Sequence, residues 1–178
     1  KTTTHEPFLE LRRLVNSNRF TGPFRFIGGA VGFVSYDAIR YWETLPHVAN
    51  DDLHIPDLEF GVFNDGIVFD HASGKIFYYW IGENRLESVL LASKKDQPSG
   101  VVETTTPTSS IREEKFREMV VRAKEYIASG DIFQVVLSKR YEFELQGDWM
   151  KFYSALSRVN PSPYMYFLKF GEMRVIGS

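Results

Sequence analysis

The chain has 178 residues, enough for one ordinary domain or two small ones, and its 43% hydrophobic and 15% aromatic residues exclude an intrinsically disordered protein. Its formal net charge of −2 argues against nucleic acid or an anionic membrane as a partner, and no apolar run approaches the roughly 20 residues that span a bilayer. The absence of cysteine excludes disulfides and fits a reducing, cytoplasmic compartment, and the absence of an initiator Met predicts that the chain begins inside a longer protein.

The first sixty residues predict a helix, a strand and a second short helix. Apolar residues at helical spacing place the first helix at about 6–16. Residues 26–36 predict a strand in which glycines let one backbone pass close to another. Because the glycine pattern is not G-x-G-x-x-G, it does not indicate a nucleotide loop. Asp37 is expected to cap a helix at 38–43.

Three segments rich in aromatic and β-branched residues follow, at 58–63, 67–71 and 75–81. Residues 64–66 and 72–74 separate them and contain Asp-Gly and Ser-Gly, which favour hairpin turns. We therefore predict an antiparallel meander, with a short helix after it at 86–92.

Residues 93–109 predict a linker because they are rich in Lys, Ser, Thr, Pro and Gly and lack an apolar period. We expect residues 1–92 and 110–178 to belong to different domains. Ser110 and Glu113 have capping-box spacing before a long helix that Gly130 ends in the left-handed conformation. Asp148 is expected to cap a further helix, with Phe152, Leu156 and Val159 facing inward, and a hairpin follows at 164–176.

Residues 133–145 alternate like a strand, with Phe133, Val135 and Leu137 on the face expected to be core. The face that carries Gln134 either meets solvent or lines a polar cavity. The predicted class is α+β, with mostly antiparallel sheets and packed helices.

The four histidines, at positions 5, 47, 54 and 71, are scattered and do not predict a metal site. Asp51 and Asp52 are expected to lie in a solvated loop. Neither the histidines nor these aspartates indicate a catalytic centre.

Two segments together resemble the anthranilate synthase component I family of chorismate-using enzymes. They are Gly-Asp-Ile-Phe-Gln-Val-Val-Leu-Ser at 130–138 and Asn-Pro-Ser-Pro-Tyr-Met at 160–165. Weaker matches are Gly-Gly at 28–29, Ser-Tyr-Asp at 35–37 and Ile-Gly-Ser at 176–178. The resemblance implies that the chain is an N-terminal and central part of such a protein and an incomplete part of its two-sheet fold.

What the resemblance implies is a magnesium-dependent conversion of chorismate and ammonia to anthranilate and pyruvate in tryptophan biosynthesis, with ammonia supplied by a glutamine amidotransferase subunit. Relatives that add water carry lysine at the position of Gln134, where it acts as a base. Since glutamine cannot take that proton, Gln134 favours a branch that uses ammonia. The resemblance also implies that Pro163, Tyr164 and Met165, supported by Asn160 and Ser162, bind tryptophan as a feedback inhibitor. From the residues alone, this turn could equally be a structural helix-to-strand connection.

In the family, the magnesium carboxylates, the catalytic histidine and the chorismate carboxylate sites follow the segment that matches Ser178, so we expect no metal ligands in this chain and no activity from it alone. Unpaired strand edges and an exposed apolar face are expected for the same reason. Two alternatives stay open. One is the related aminodeoxychorismate synthase component I, and the other is a non-catalytic domain that binds tryptophan or a partner subunit.

Overall fold

The computed structural model describes residues 6–17, 21–94 and 101–178. The helices are α1 (Pro7–Ser17), α2 (Leu86–Ser93), α3 (Glu113–Ala128) and α4 (Trp149–Val159), with a 3-10 helix at Tyr36–Tyr41. The strands are β1 (Gly29–Val34), β2 (Leu58–Phe63), β3 (Asp65–Asp70), β4 (Lys75–Trp80), β5 (Glu103–Thr104), β6 (Thr108–Ser109), β7 (Tyr141–Glu142), β8 (Leu145–Gln146), β9 (Tyr166–Phe170) and β10 (Met173–Gly177). Every sheet formed by these strands has two antiparallel strands, which confirms the predicted α+β class.

Contacts between Cα atoms divide the chain into two compact units. One comprises Lys1–Asp96 and Tyr166–Gly177, and the other comprises Gln97–Met165 and Ser178. The predicted domain limits at 92 and 110 stay a prediction. Within the described residues, no helix is long and apolar enough to cross a membrane.

In the first unit, the pairs β1–β2, β3–β4 and β9–β10 form three separate two-stranded antiparallel sheets. The predicted close approach of backbones at the glycines of β1 is confirmed. A Cβ on Gly32 would lie 2.7 Å from the Phe60 Cα, and one on Gly28 would lie 2.8 Å from the Phe63 carbonyl oxygen. Gly28 also has a φ of +74°, which favours glycine.

The predicted meander is wrong at its first turn. Asp65 and Gly66 begin β3 instead of turning the chain back onto β2. The reason is that β2 pairs with β1 along its whole length, from Leu58 opposite Val34 to Phe63 opposite Gly29. The second turn is confirmed, since Gly74 has a φ of +67° between β3 and β4.

The 3-10 helix replaces the predicted helix at 38–43 and begins after Ser35. Asp37 does not cap it, because its carboxylate accepts a hydrogen bond from the Arg40 Nε at 2.9 Å. Ala38, in this helix, is the most buried apolar residue of the described part of the chain.

The second unit contains α3 and α4, and the strand predicted at 133–145 is mostly wrong. Only β7 and β8 form, and they pair with β6 and β5 from the described part of the predicted linker. Residues 133–139 are not a strand, because a strand needs a hydrogen-bonded neighbour and no strand of the described residues pairs with them. Phe133, predicted to be core, is 100% exposed.

Two predictions about the helices of this unit are also wrong. The Ser110 side chain does not cap α3, since its Oγ accepts the Arg140 N–H at 3.1 Å and the helix begins after Arg112. Val159 does not face inward and is 84% exposed, because it lies in the last turn of α4. The left-handed end of α3 is confirmed, with a φ of +84° at Gly130.

Candidate functional site

The turn at 160–165 is positioned by α4. The Asp148 Oδ1 accepts the Met150 N–H at 2.9 Å, which confirms the predicted N-cap. The helix ends at Asn160, whose N–H donates to the Leu156 carbonyl oxygen at 2.8 Å. Pro161 and Pro163 follow immediately and cannot donate backbone hydrogen bonds, so the chain leaves the helix at a defined residue.

The predicted inhibitor-binding residues lie together in this turn, but they differ in exposure. Tyr164 is 85% exposed, and Pro163 beside it is also exposed. Met165 and Ser162 are partly buried. The Asn160 Nδ2 donates to the Ser178 Oγ at 2.7 Å. The turn therefore offers an aromatic ring and a proline as an open apolar surface next to a hydrogen-bonded amide.

Gln134 lies in the same compact unit, on the irregular segment after α3. The Asp131 N–H donates to the Tyr126 carbonyl oxygen at 3.0 Å, and this bond fixes where the segment leaves the helix. The Gln134 side chain is exposed and has no hydrogen-bond partner within the described residues. Its amide is thus free to donate and to accept hydrogen bonds.

An open cavity of about 900 Å³ lies between α3 and the segment that carries Gln134. The residues that line it include Met119 and Ala123 of α3 and Ile132, Val135 and Leu137 of the segment. Charged side chains of α3 surround this apolar floor, and one of them, Arg122, has its pKa raised by hydrogen bonds to Glu125 and Tyr126. A cavity of this kind can hold apolar groups, and carboxylates of α3, among them Glu125, lie at its edge.

A second cavity, of about 460 Å³ in the first unit, is lined by several acidic residues, among them Asp37, Asp51, Asp52 and Asp57. They do not form a metal centre, because no group of three or more His, Cys, Asp or Glu residues in the described chain could hold an ion. Asp51 instead accepts the His54 N–H at 2.9 Å, and His54 has a φ of +49°. The described residues therefore do not fit the magnesium ion that the family resemblance implies.

A charged network in the first unit has no counterpart in the sequence predictions. The Asp65 carboxylate accepts hydrogen bonds from the Arg85 guanidinium, at 2.9 Å from its Nε, and from the Tyr78 hydroxyl at 2.8 Å. The Arg85 guanidinium and the Tyr78 hydroxyl hold the pKa of Asp65 below its usual value. Burial and the Asp65 carboxylate raise the pKa of Tyr78. Residues 65 and 85 are too far apart in sequence for a local pattern to predict their contact. It depends on the pairing of β3 with β4, which brings the chain after β4 back to Asp65.

Comparison with known proteins gives a consistent result along the chain. The family model described as chorismate binding enzyme matches residues 2–178. The chain is 39% identical over 172 residues to anthranilate synthase component 1 of Methanothermobacter marburgensis, covering 97% of the chain. It is 39% identical over 176 residues to the protein of the same name from Methanothermobacter thermautotrophicus, covering 98%. The chain spans 36% and 37% of the length of these two curated relatives.

A solved structure agrees with these relatives. The crystal structure of anthranilate synthase component I from Streptococcus pneumoniae superposes with a TM-score of 0.76 at 31% sequence identity. The match covers 94% of this chain and 42% of that one.

Proposed function

The chain belongs to the family of chorismate-binding enzymes, and from this membership we propose that it forms part of the first component of an anthranilate synthase. The observation that carries the proposal is the 39% identity, over 97% of the chain, to a curated anthranilate synthase component 1. The reaction adds ammonia at C2 of chorismate, releases the C4 hydroxyl group as water and then eliminates pyruvate, which leaves anthranilate.

Gln134 is the residue of this chain that we assign to the nucleophile pocket. Its exposed amide has no partner within the described residues, so it can meet a substrate or an incoming ammonia molecule. Ammonia is nucleophilic without losing a proton, whereas water needs a base, and an amide is not one. Glutamine at this position thus suits the addition of ammonia.

The partners follow from the same proposal. A glutamine amidotransferase subunit would supply ammonia, and the whole protein would work in the cytoplasm with magnesium. The described residues have no group that could hold the ion, so its ligands would be supplied from outside them.

The 178 residues are expected to be inactive by themselves. They correspond to 36% of the length of the first curated relative. An apolar side chain such as Phe133 is also fully exposed, which is unsuited to an active site that must exclude water.

The turn at 160–165 is our candidate site for tryptophan as a feedback inhibitor. An indole ring can pack on the exposed Tyr164 ring and Pro163, while the partly buried Met165 offers a polarisable side wall. The prolines restrict the turn, so little conformational entropy is lost when a ligand binds.

The proposed reaction is tested with the protein encoded by the whole reading frame that contains this sequence. Given chorismate, magnesium and ammonia, it should release anthranilate, which is detected by its fluorescence, and an equal amount of pyruvate. Aminodeoxychorismate as the product, which retains the pyruvyl group, would replace the proposal with the related synthase. The 178-residue chain assayed in parallel should release no anthranilate, and no product from either protein would refute the proposal.

The role of Gln134 is tested by Gln134→Lys in the protein of the whole reading frame. A protonated lysine would repel an ammonium ion, and a neutral lysine would activate water, so we expect anthranilate formation to fall by about 10²-fold or more. Gln146→Lys is the matched control, because Gln146 is an exposed glutamine in β8. Equal rates for the two variants would show that Gln134 does not face the reacting carbon.

The inhibitor site is tested by Tyr164→Ala and Tyr164→Phe in the same protein. Loss of the ring should raise the tryptophan concentration for half-inhibition by about tenfold, which corresponds to about 1.4 kcal/mol. Tyr164→Phe keeps the ring and should leave inhibition nearly unchanged. If tryptophan inhibits the alanine variant as strongly as the unsubstituted protein, the turn is only a structural connection. Tryptophan should not bind measurably to the 178-residue chain, and tight binding there would support a non-catalytic binding domain.

A further inference from the structure

The chain leaves α3 through a Schellman motif, a hydrogen-bonded turn that closes the end of a helix. Gly130 has a φ of +84°, and its N–H donates to the Ile127 carbonyl oxygen at 3.2 Å. The Asp131 N–H donates to the Tyr126 carbonyl oxygen at 3.0 Å, which completes the motif. Local contacts alone form this turn, and it begins the segment that carries Gln134.

Asp131 is an unfavourable residue for its place in this motif. The position after the glycine commonly carries an apolar residue that packs on the last turn of the helix. A carboxylate there also meets the negative end of the helix dipole, and α3 has no basic residue in its last turn to offset it. Departures of this kind from the local rules are expected where a residue serves function.

The hydrogen bonds around the Tyr126 carbonyl oxygen give Asp131 a specific role. Three donors lie within reach of this oxygen, which has two lone pairs. They are the N–H groups of Asp131, at 3.0 Å, and Ile132, at 3.4 Å, and the Ser129 hydroxyl, at 3.1 Å. The hydroxyl has one hydrogen, and the Asp131 Oδ2 lies closer to it, at 2.6 Å. The carboxylate therefore accepts that hydrogen and leaves the carbonyl oxygen to the two backbone N–H groups.

Tyr126, which accepts these bonds, is itself held in place within α3. The Arg122 guanidinium lies 4.7 Å from the centroid of the Tyr126 ring, and its Nη2 donates to the Tyr126 hydroxyl at 3.3 Å. Arg122 also pairs with Glu125 at 2.8 Å. A change in the bonds to the Tyr126 carbonyl oxygen should therefore move the segment after α3 and leave the helix in place.

We propose that Asp131 is a positioning residue for Gln134. By accepting the Ser129 hydroxyl, Asp131 keeps its own N–H and that of Ile132 on the Tyr126 carbonyl oxygen. These two bonds fix the direction in which the segment leaves α3, and Gln134 follows two residues after Ile132. The inference rests on the proposed role of Gln134 in the addition of ammonia and adds the residue that orients its amide.

The test measures anthranilate release by the protein of the whole reading frame at varied ammonia concentration. In Asp131→Ala the Ser129 hydroxyl turns to the Tyr126 carbonyl oxygen and displaces the longer bond, from Ile132. We expect kcat/KM for ammonia to fall about tenfold, while the KM for chorismate stays within about twofold of its value in the unsubstituted protein. The double variant Ser129→Ala/Asp131→Ala lacks the competing hydroxyl and should regain about half or more of the unsubstituted kcat/KM.

Asp70→Ala is the matched control, because the Asp70 Oδ2 also accepts a serine hydroxyl, from Ser73, but in the turn between β3 and β4. It should leave kcat/KM for ammonia unchanged. Asp131→Ala that is as active as this control would overturn the proposal, and so would a double variant no more active than Asp131→Ala. A merely structural role would lower kcat and the midpoint of thermal unfolding together, with both KM values and their ratio unchanged, and would also overturn it. We expect the midpoint of Asp131→Ala not to fall, since the substitution removes a carboxylate from the negative end of the helix dipole.

Hydrogen exchange checks the same bonds without turnover. Mass spectrometry of overlapping peptides across 129–134 should show that the Ile132 N–H exchanges about fivefold faster in Asp131→Ala, as expected for the loss of one hydrogen bond. The double variant should return to the unsubstituted rate, and equal rates in all three proteins would overturn the proposal. An unsubstituted protein that releases no anthranilate would refute the proposed function instead, and the exchange rates would still decide whether Asp131 positions the segment.

Discussion

Replacing Gly32 with alanine should test how closely β1 and β2 approach. Gly32 lies opposite Phe60 in this pair. A Cβ built on Gly32 would lie 2.7 Å from the Phe60 Cα and 2.8 Å from the Glu59 carbonyl carbon, and it would meet the Glu59 carbonyl oxygen at still closer range. These atoms belong to the backbone, so the added methyl group can be accommodated only if the two strands move apart.

The expected cost follows from two opposing terms. Overpacking against backbone atoms, which cannot move away as a side chain can, lowers the free energy of unfolding by about 1–3 kcal/mol. Gly32 does not have a positive φ, so alanine can adopt its backbone conformation. Alanine also lowers the conformational entropy of the unfolded chain, which raises the free energy of unfolding by about 0.4–1 kcal/mol. Because the atoms that the methyl group meets belong to the backbone, the upper part of the first range applies and we expect a net loss of about 1–2 kcal/mol. For a chain of 178 residues, this loss lowers the midpoint of thermal unfolding by about 2–8 °C.

Thermal unfolding followed by circular dichroism measures this loss, and Gly74→Ala is the control. Gly74 lies in the turn between β3 and β4 with a φ of +67°, and no atom lies within 4 Å of a Cβ built on it. Alanine at this position would therefore strain the backbone conformation without a steric clash. Its cost should be about 1 kcal/mol. If Gly32→Ala unfolds at or above the temperature of the unsubstituted chain, the close approach of β1 and β2 does not limit stability and our reasoning about this sheet is wrong.

Three further predictions concern stability, each measured by urea unfolding. Asp148→Ala removes the cap of α4 and should cost about 1 kcal/mol, whereas Asp148→Asn should cost much less because an amide oxygen can still accept the Met150 N–H. Gly130→Ala places a side chain at a φ of +84° and should cost about 1–2 kcal/mol, and no loss would show that the left-handed end of α3 is not required. The pKa of Asp65 is lowered in the folded state, so its ion pair with Arg85 should stabilise the fold above pH 4 or so and lose that effect as the pH falls through the folded pKa. Arg85→Met should make stability less sensitive to acid, and an unchanged pH profile would contradict this account.

Local patterns predicted the elements whose structure depends on neighbours in sequence. Helices α1 to α4 were predicted within a few residues of their observed bounds, and the glycine turn at 72–74 and the hairpin at 164–176 were also predicted. Caps were predicted less well, because a capping side chain can choose another partner. Asp148 caps its helix, whereas Asp37 bonds to Arg40.

Pairing between distant segments could not be predicted in this way. β2 pairs with β1 and not with the nearer β3, and β7 pairs with β6 from the predicted linker. The alternation of apolar and polar residues at 133–140 indicates a sequence that favours a strand. Such a sequence forms a strand only where another strand pairs with it. The candidate site shows the same limit, since the residues of the turn at 160–165 are predictable as neighbours, while the surroundings of Gln134 depend on what pairs with its segment.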